Sequence, residues 1–235
     1  SARRHSFQNM FAYLLLRCTA SLIELMNGKV FCIGLNKAGT ISLHAAFRIL
    51  GLKSVHYQDE SGASIKDVIL DNFLAGRYIL QGFAGYDAHS DWDKVPHTID
   101  VFKEFDRQCP GSKFIVNTRE LKAWLTSRER HVQRQQQEQR RHPDRDVPWL
   151  QVDREGWTRQ YRVHYAAVAA HFRERPDDVL VFDVAQGHGW AELCSFLGFA
   201  VPEVPFPKRN ALGAREAFLA NFKDKIGQSG ERPIG

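Results

Sequence analysis

An α/β fold built on a mainly parallel central sheet is what this sequence predicts. Three observations carry the prediction: short, nearly continuous apolar runs of strand length, segments of helical periodicity between them, and glycine or polar residues at the junctions. The first segment, at about residues 7–26, has the pattern of an amphipathic helix, with Arg3 and Arg4 as a basic tip. Arg17 and Glu24 interrupt its apolar run and no small-residue cleavage site follows, so it reads neither as a membrane anchor nor as a signal peptide. Lys29 to Gly34 is a strand of the kind buried on both faces of a parallel sheet. A loop follows, then a helix from Ser42 to Leu50 closed by Gly51. The alternation continues with a strand at Ser54 to Tyr57, a helix at Ser64 to Ala75, a strand at Arg77 to Gln81, a helix at Val95 to Gln108 and a strand at Lys113 to Asn117. A long helix from Glu120 to Arg141 runs into a Gln/Arg-rich stretch, either a solvated helix end or a lid over a ligand site. A helix from Arg154 to Arg173, a strand at Val179 to Asp183 and a helix at Trp190 to Leu197 complete the core, and the tail from Gly227 reads as a frayed end.

The 235 residues suit one large domain, with the N-terminal helix and a helical insertion at about 128–175 as additions to the core. With 43% hydrophobic and 25% charged residues the composition is that of a globular protein, which excludes a disordered chain and a multi-span membrane protein. The net charge of +5 suggests an anionic ligand without identifying it. Cys18, Cys32, Cys109 and Cys194 are far apart and form no metal-ligating pattern, so they read as reduced packing residues of a cytoplasmic protein.

In a doubly wound sheet, ligands bind at the carboxyl ends of the strands. The loop after the first strand runs Gly34-Leu35-Asn36-Lys37-Ala38-Gly39-Thr40-Ile41-Ser42. Gly39 lets the backbone wrap an anion, the amides that follow open a helix, Thr40 and Ser42 add hydroxyls and Lys37 adds a compact positive charge. The expected ligand is a phosphate. The loop is not a Walker A motif, because Lys37 precedes Gly39 and Ile41 follows Thr40. That weakens an ATP-dependent kinase as the alternative, and a non-catalytic nucleotide-binding module stays open.

This loop resembles the one that binds the 5′-phosphosulfate in sulfotransferases that use 3′-phosphoadenosine 5′-phosphosulfate (PAPS). Two further stretches agree with the resemblance. Lys113 to Ser127 is similar to the family's strand and helix that carry an arginine and, eight residues later, a serine, here Arg119 and Ser127. Val179 to Pro207 is similar to its late strand, Gly-x-Gly-Trp-x-x-Leu-Cys-x-Phe-Leu-Gly helix and proline-rich exit. The likeness is strongest to the bacterial branch of small members.

The resemblance implies a 5′ site formed by Asn36, Lys37, Ala38, Gly39, Thr40, Ile41 and Ser42, and a 3′-phosphate site formed by Arg119 and Ser127. Arg119 offers a planar fork for that phosphate. Ile41 stands where threonine is frequent in the family. Lys208 and Arg209 sit where larger members place basic residues for the same phosphate, but the Arg-Lys-Gly pattern is missing and they read as solvated charge.

Sulfuryl transfer is an in-line displacement that depends on positioning and electrostatic stabilisation. Lys37 is the expected stabiliser of charge on the leaving phosphate, and no metal is required. The base that takes the acceptor proton is expected to be Asp91 or, second, His44, with His56, Glu60 and His89 also plausible. The resemblance implies an acceptor hydroxyl on a carbohydrate, lipid or secondary metabolite, for which Phe83, Tyr86, Trp92 and Trp149 are candidate pocket aromatics. Nucleic acid is not an expected partner, since the Arg-rich stretch from Arg128 to Arg145 carries acids and lacks interleaved aromatics.

Overall fold

A computed structural model describes residues 28–92, 100–142 and 151–208. Five strands form one sheet: β1 (Val30–Cys32), β2 (Ser54–His56), β3 (Ala88–Ser90), β4 (Lys113–Asn117) and β5 (Val179–Phe182). Their spatial order is β2-β3-β1-β4-β5 and every pairing is parallel. Among the described residues six α-helices connect them: α1 (Thr40–Ile49), α2 (Ile65–Leu74), α3 (Val101–Gln108), α4 (Leu121–Arg141), α5 (Arg154–His171) and α6 (Trp190–Leu197). The α/β prediction with a parallel sheet is therefore correct.

Alternation along the strands sorts the core into two layers. Val30 and Cys32 of β1 pack with Leu43, Phe47, Phe182 and Leu193 on the face covered by α1 and α6. Phe31 and Ile33 point the other way, into a layer with Ile65, Ile69, Phe102, Phe105, Phe114 and Phe172. Covered on both faces, β1 and β4 read as nearly continuous apolar runs, which is why they are recognisable in the sequence. A third cluster lies beneath the loop after β1, where Leu35 and Ala38 meet Trp124, Leu125, Val132 and Trp157.

One strand differs from expectation. Arg77 to Gln81 is a series of turns, and the third strand is Ala88–Ser90. Ile79 and Leu80 are fully buried, so the apolar signal was real. Their backbone finds side-chain partners instead of a ladder: the Gln108 carboxamide accepts from Ile79 N at 2.8 Å, and Asn72 Nδ2 donates to the carbonyls of Ile79 and Gln81. The mixed composition of Ala88-His89-Ser90 conceals β3, which pairs on both sides with β1 and β2. The N-terminal helix, Trp149, Arg209 and the tail lie outside the described residues.

His89 is fully buried in β3, where its ring stacks on Phe31 and its Nε2 donates to the Phe83 carbonyl at 3.2 Å. Burial pulls its pKa from 6.5 down to about 4. Because the unfolded chain then binds more protons than the folded one between pH 4 and 6.5, stability rises with pH across that window. Urea midpoints measured from pH 4 to 7 are expected to climb, and His89→Gln, which keeps a donor for Phe83, is expected to flatten part of the climb. A variant with an unchanged slope would assign it to other groups. Such a buried histidine is a core residue, so His89 drops out as a catalytic base.

Candidate active site

A parallel sheet sends the carboxyl ends of all five strands to one edge, and the loops there carry most of the residues with chemistry. The loop after β1 begins at Gly34, whose Cβ, if it had one, would lie 1.7 Å from the Asn117 carbonyl oxygen. Only glycine permits that approach of β1 to β4. Gly39 caps α1 with φ 90°, and a side chain there would also press within 2.9 Å of Val184. The cap residue Gly39 has no side chain to bond the first amides of α1, and the first turn carries no acidic residue, so the helix start can face an anion.

The loop is held from several sides. Asn117 accepts from Gly34 N at 2.9 Å and donates to the Leu35 carbonyl at 3.0 Å. The Trp124 indole donates to the Asn36 carbonyl at 2.8 Å, and His164 Nε2 donates to the Ile33 carbonyl at 2.6 Å. Thr40 and Ser42 are buried at the start of α1, while Ile41 is exposed.

Three non-glycine residues among the described ones have positive φ: Lys37 at 64°, Tyr57 at 63° and Asp91 at 62°. Each follows a strand on this edge, the first three strands in turn. Such left-handed backbone costs about 1–2 kcal/mol per residue and concentrates at functional sites.

Between these strained points lies a polar cluster. His56 Nε2 is hydrogen-bonded to Thr40 Oγ1 at 3.2 Å and faces Asp91 Oδ2 at 3.9 Å. His44 Nδ1 is hydrogen-bonded to Ser54 Oγ at 2.9 Å, and its ring centroid lies 5.5 Å from that of His56. Burial first, then the His56 and Arg48 charges, lowers the His44 pKa to about 4. Thus three of the expected residues, Thr40, His44 and Asp91, come together around His56. Glu60 is exposed in the turn after β2.

At the end of β4, Arg119 is half-buried, and its Nε is enclosed without a hydrogen-bond partner among the described residues. An enclosed guanidinium nitrogen of this kind invites an anion. The Arg119 carbonyl accepts from Tyr161 OH at 2.9 Å. Glu120 caps α4 by accepting from the amides of Lys122 and Ala123. Ser127, half-buried, lies one turn beyond Trp124 and so shares the helix face that meets the loop after β1.

The acceptor-side aromatics fare differently. Trp92 and Phe83 are buried in the core, with the Trp92 indole donating to the Cys32 carbonyl at 3.0 Å. Tyr86 lies under the Lys53 ammonium, before β2 and β3 begin, at the edge opposite the loops. None of the three floors a pocket beside the candidate anion sites. Lys208 is exposed, as read from the sequence. Sequence reasoning missed Asn117, Tyr161, His164 and Tyr165, whose helical or strand spacing signals packing and says nothing of where their polar tips go.

Cys32, Cys109 and Cys194 are buried thiols, and burial pushes the pKa of each upward. Among the described residues no group of three or more His, Cys, Asp or Glu side chains is placed to hold a metal ion, and no helix is long and apolar enough to cross a membrane.

Comparison with known proteins agrees with this architecture. A relative in Aspergillus versicolor, Ava biosynthesis cluster protein M, is 25% identical over 243 residues, covering 88% of this chain and 92% of that protein. The family model described as a sulfotransferase domain matches residues 29–152 and 145–214, which span β1 to β5, α6 and both candidate anion sites. The chain belongs to the sulfotransferase domain family.

Proposed function

We propose that this protein transfers the sulfuryl group of PAPS to an acceptor hydroxyl. The observation that supports the reading is that two candidate anion-binding segments stand on one sheet edge, the helix start behind Gly39 and the enclosed Arg119 Nε. A nucleotide phosphorylated at both 5′ and 3′ positions needs two such cradles. The amides from Gly39 to Ser42, the Thr40 and Ser42 hydroxyls and the Lys37 ammonium would hold the 5′ end; Arg119 and Ser127 would hold the 3′-phosphate.

Bound PAPS supplies an electrophilic sulfur and a leaving phosphate whose bridging oxygen gains negative charge as its bond to sulfur breaks. Lys37 neutralises charge at that position, from a left-handed backbone that the surrounding loop maintains. Asp91 and His56 form the proton-accepting pair for the acceptor hydroxyl, since they face one another beside Thr40. His44 has its Nδ1 engaged by Ser54 Oγ and its ring beside that of His56, so it supports the pair from behind. No metal enters this scheme, and buried thiols suit a reducing cytoplasm. Carbohydrates, lipids and secondary metabolites are the acceptor classes in view, and a relative named for a biosynthesis cluster favours the last.

Thermal shift measures the two cradles together. Adenosine 3′,5′-bisphosphate at about 100 times its Kd is expected to raise the melting temperature by roughly 5–10 °C. AMP should produce a smaller rise, and Arg119→Ala should reduce the bisphosphate shift to that of AMP. A shift seen only with ATP and magnesium would sink the assignment in favour of a kinase.

A further inference from the structure

We infer that helix α5 is the element that locks the two anion-binding segments into one register, with Tyr161 and Tyr165 as positioning residues for recognition of a doubly phosphorylated nucleotide. The inference rests on the sulfuryl-transfer reading of the site. Tyr161, His164 and Tyr165 lie on one face of α5, at the spacing of adjacent helical turns. Their polar tips reach past the apolar cluster beneath the loop and end on main-chain groups of both segments. Tyr161 OH donates to the Arg119 carbonyl at 2.9 Å and lies 3.4 Å from Thr118 Oγ1. Tyr165 OH donates to the Asn117 carbonyl at 2.9 Å and accepts from Leu35 N at 3.4 Å, so one hydroxyl joins the end of β4 to the loop after β1. His164 donates to the Ile33 carbonyl, and the rings of Tyr161 and Tyr165 are 4.5 Å apart.

These contacts are unequal in what they control. The bond from Tyr161 holds the backbone of Arg119 itself, so it governs where the guanidinium stands and leaves the start of α1 untouched. The bond from Tyr165 spans the two segments, so it governs their separation. A ligand that bridges both cradles with a fixed distance between its phosphates senses that separation. A ligand with one phosphate does not, because it can be held wherever its cradle stands.

Affinities of wild type, Tyr161→Phe and Tyr165→Phe for adenosine 3′,5′-bisphosphate, 3′-AMP and 5′-AMP, measured by calorimetry, test this. Tyr161→Phe is expected to weaken the bisphosphate and 3′-AMP about tenfold while 5′-AMP stays within twofold. Tyr165→Phe is expected to weaken the bisphosphate about tenfold with both monophosphates within threefold. Equal weakening of all three nucleotides, or none, overturns the positioning role, because a residue that only stabilises the fold has no preference among ligands. Should Tyr165→Phe fail to fold, the Tyr161→Phe selectivity decides alone. A wild-type protein that binds 5′-AMP as tightly as the bisphosphate overturns the underlying reading of two phosphate cradles, and that outcome is visible before any variant is made.

Discussion

Lys37→Ala is expected to slow PAPS turnover about 100-fold or more, read as release of adenosine 3′,5′-bisphosphate, while the affinity for that bisphosphate falls much less. The difference follows from when the charge is needed. An ammonium aimed at a bridging oxygen does little for the intact donor and most in the transition state, where the bond to sulfur is breaking. The same position allows an internal control. Lys37 has φ 64°, so glycine relieves a backbone strain that alanine retains. Lys37→Gly should therefore be as slow as Lys37→Ala yet more stable than it by about 1 kcal/mol, measured as a difference in unfolding free energy. Near-wild-type turnover in either variant would remove Lys37 from the mechanism, and equal stability would mean that the left-handed backbone costs nothing there.

Gly34→Ala should be the most damaging single methyl group in the described structure. The added carbon would stand 1.7 Å from the Asn117 carbonyl oxygen and 2.8 Å from Asn117 Cγ. Neither neighbour can retreat, because Asn117 is fully buried and its side chain already bonds Gly34 N and the Leu35 carbonyl. Separating β1 from β4 at this point breaks parallel pairing at the centre of the sheet and moves the two proposed anion cradles apart. A loss of at least about 3 kcal/mol is expected, or a fall of roughly 6–12 °C in melting temperature. Gly51→Ala makes the comparison: φ there is 83° with nothing within 4 Å of the new carbon, so the cost should stay near 1 kcal/mol. Melting curves of the two variants that coincide would contradict the steric account.

The two glycines also show how far reading the chain could go. Gly51 announces itself as a helix terminator by following a periodic segment, a purely local signal. Gly34 carries no such mark, because what forbids its side chain comes from a residue more than eighty positions away. The same division runs through the strands. β1 and β4 are buried on both faces and advertise it with apolar runs. β3 does not, since only Ala88 is apolar, and His89 and Ser90 are buried polar residues with tertiary partners. The apolar run at Arg77 to Gln81 misled because burial was mistaken for pairing.

By itself, the sequence determined the α/β alternation, the loop from Gly34 to Ser42 as the candidate anion site and the placement of Arg119 after a strand. These depend on neighbours along the chain, where turn chemistry and periodicity act directly. Tertiary structure alone decided that His56 stands between Thr40 and Asp91, that Trp92 and Phe83 belong to the core, and that the tyrosines of α5 reach the backbone at the end of β4 and in the loop after β1. The physical reason is that a parallel sheet brings strand ends from distant parts of the chain to one edge, and which side chains then meet depends on strand order and register. Residue types are written locally; the distances between them are set by the packed fold.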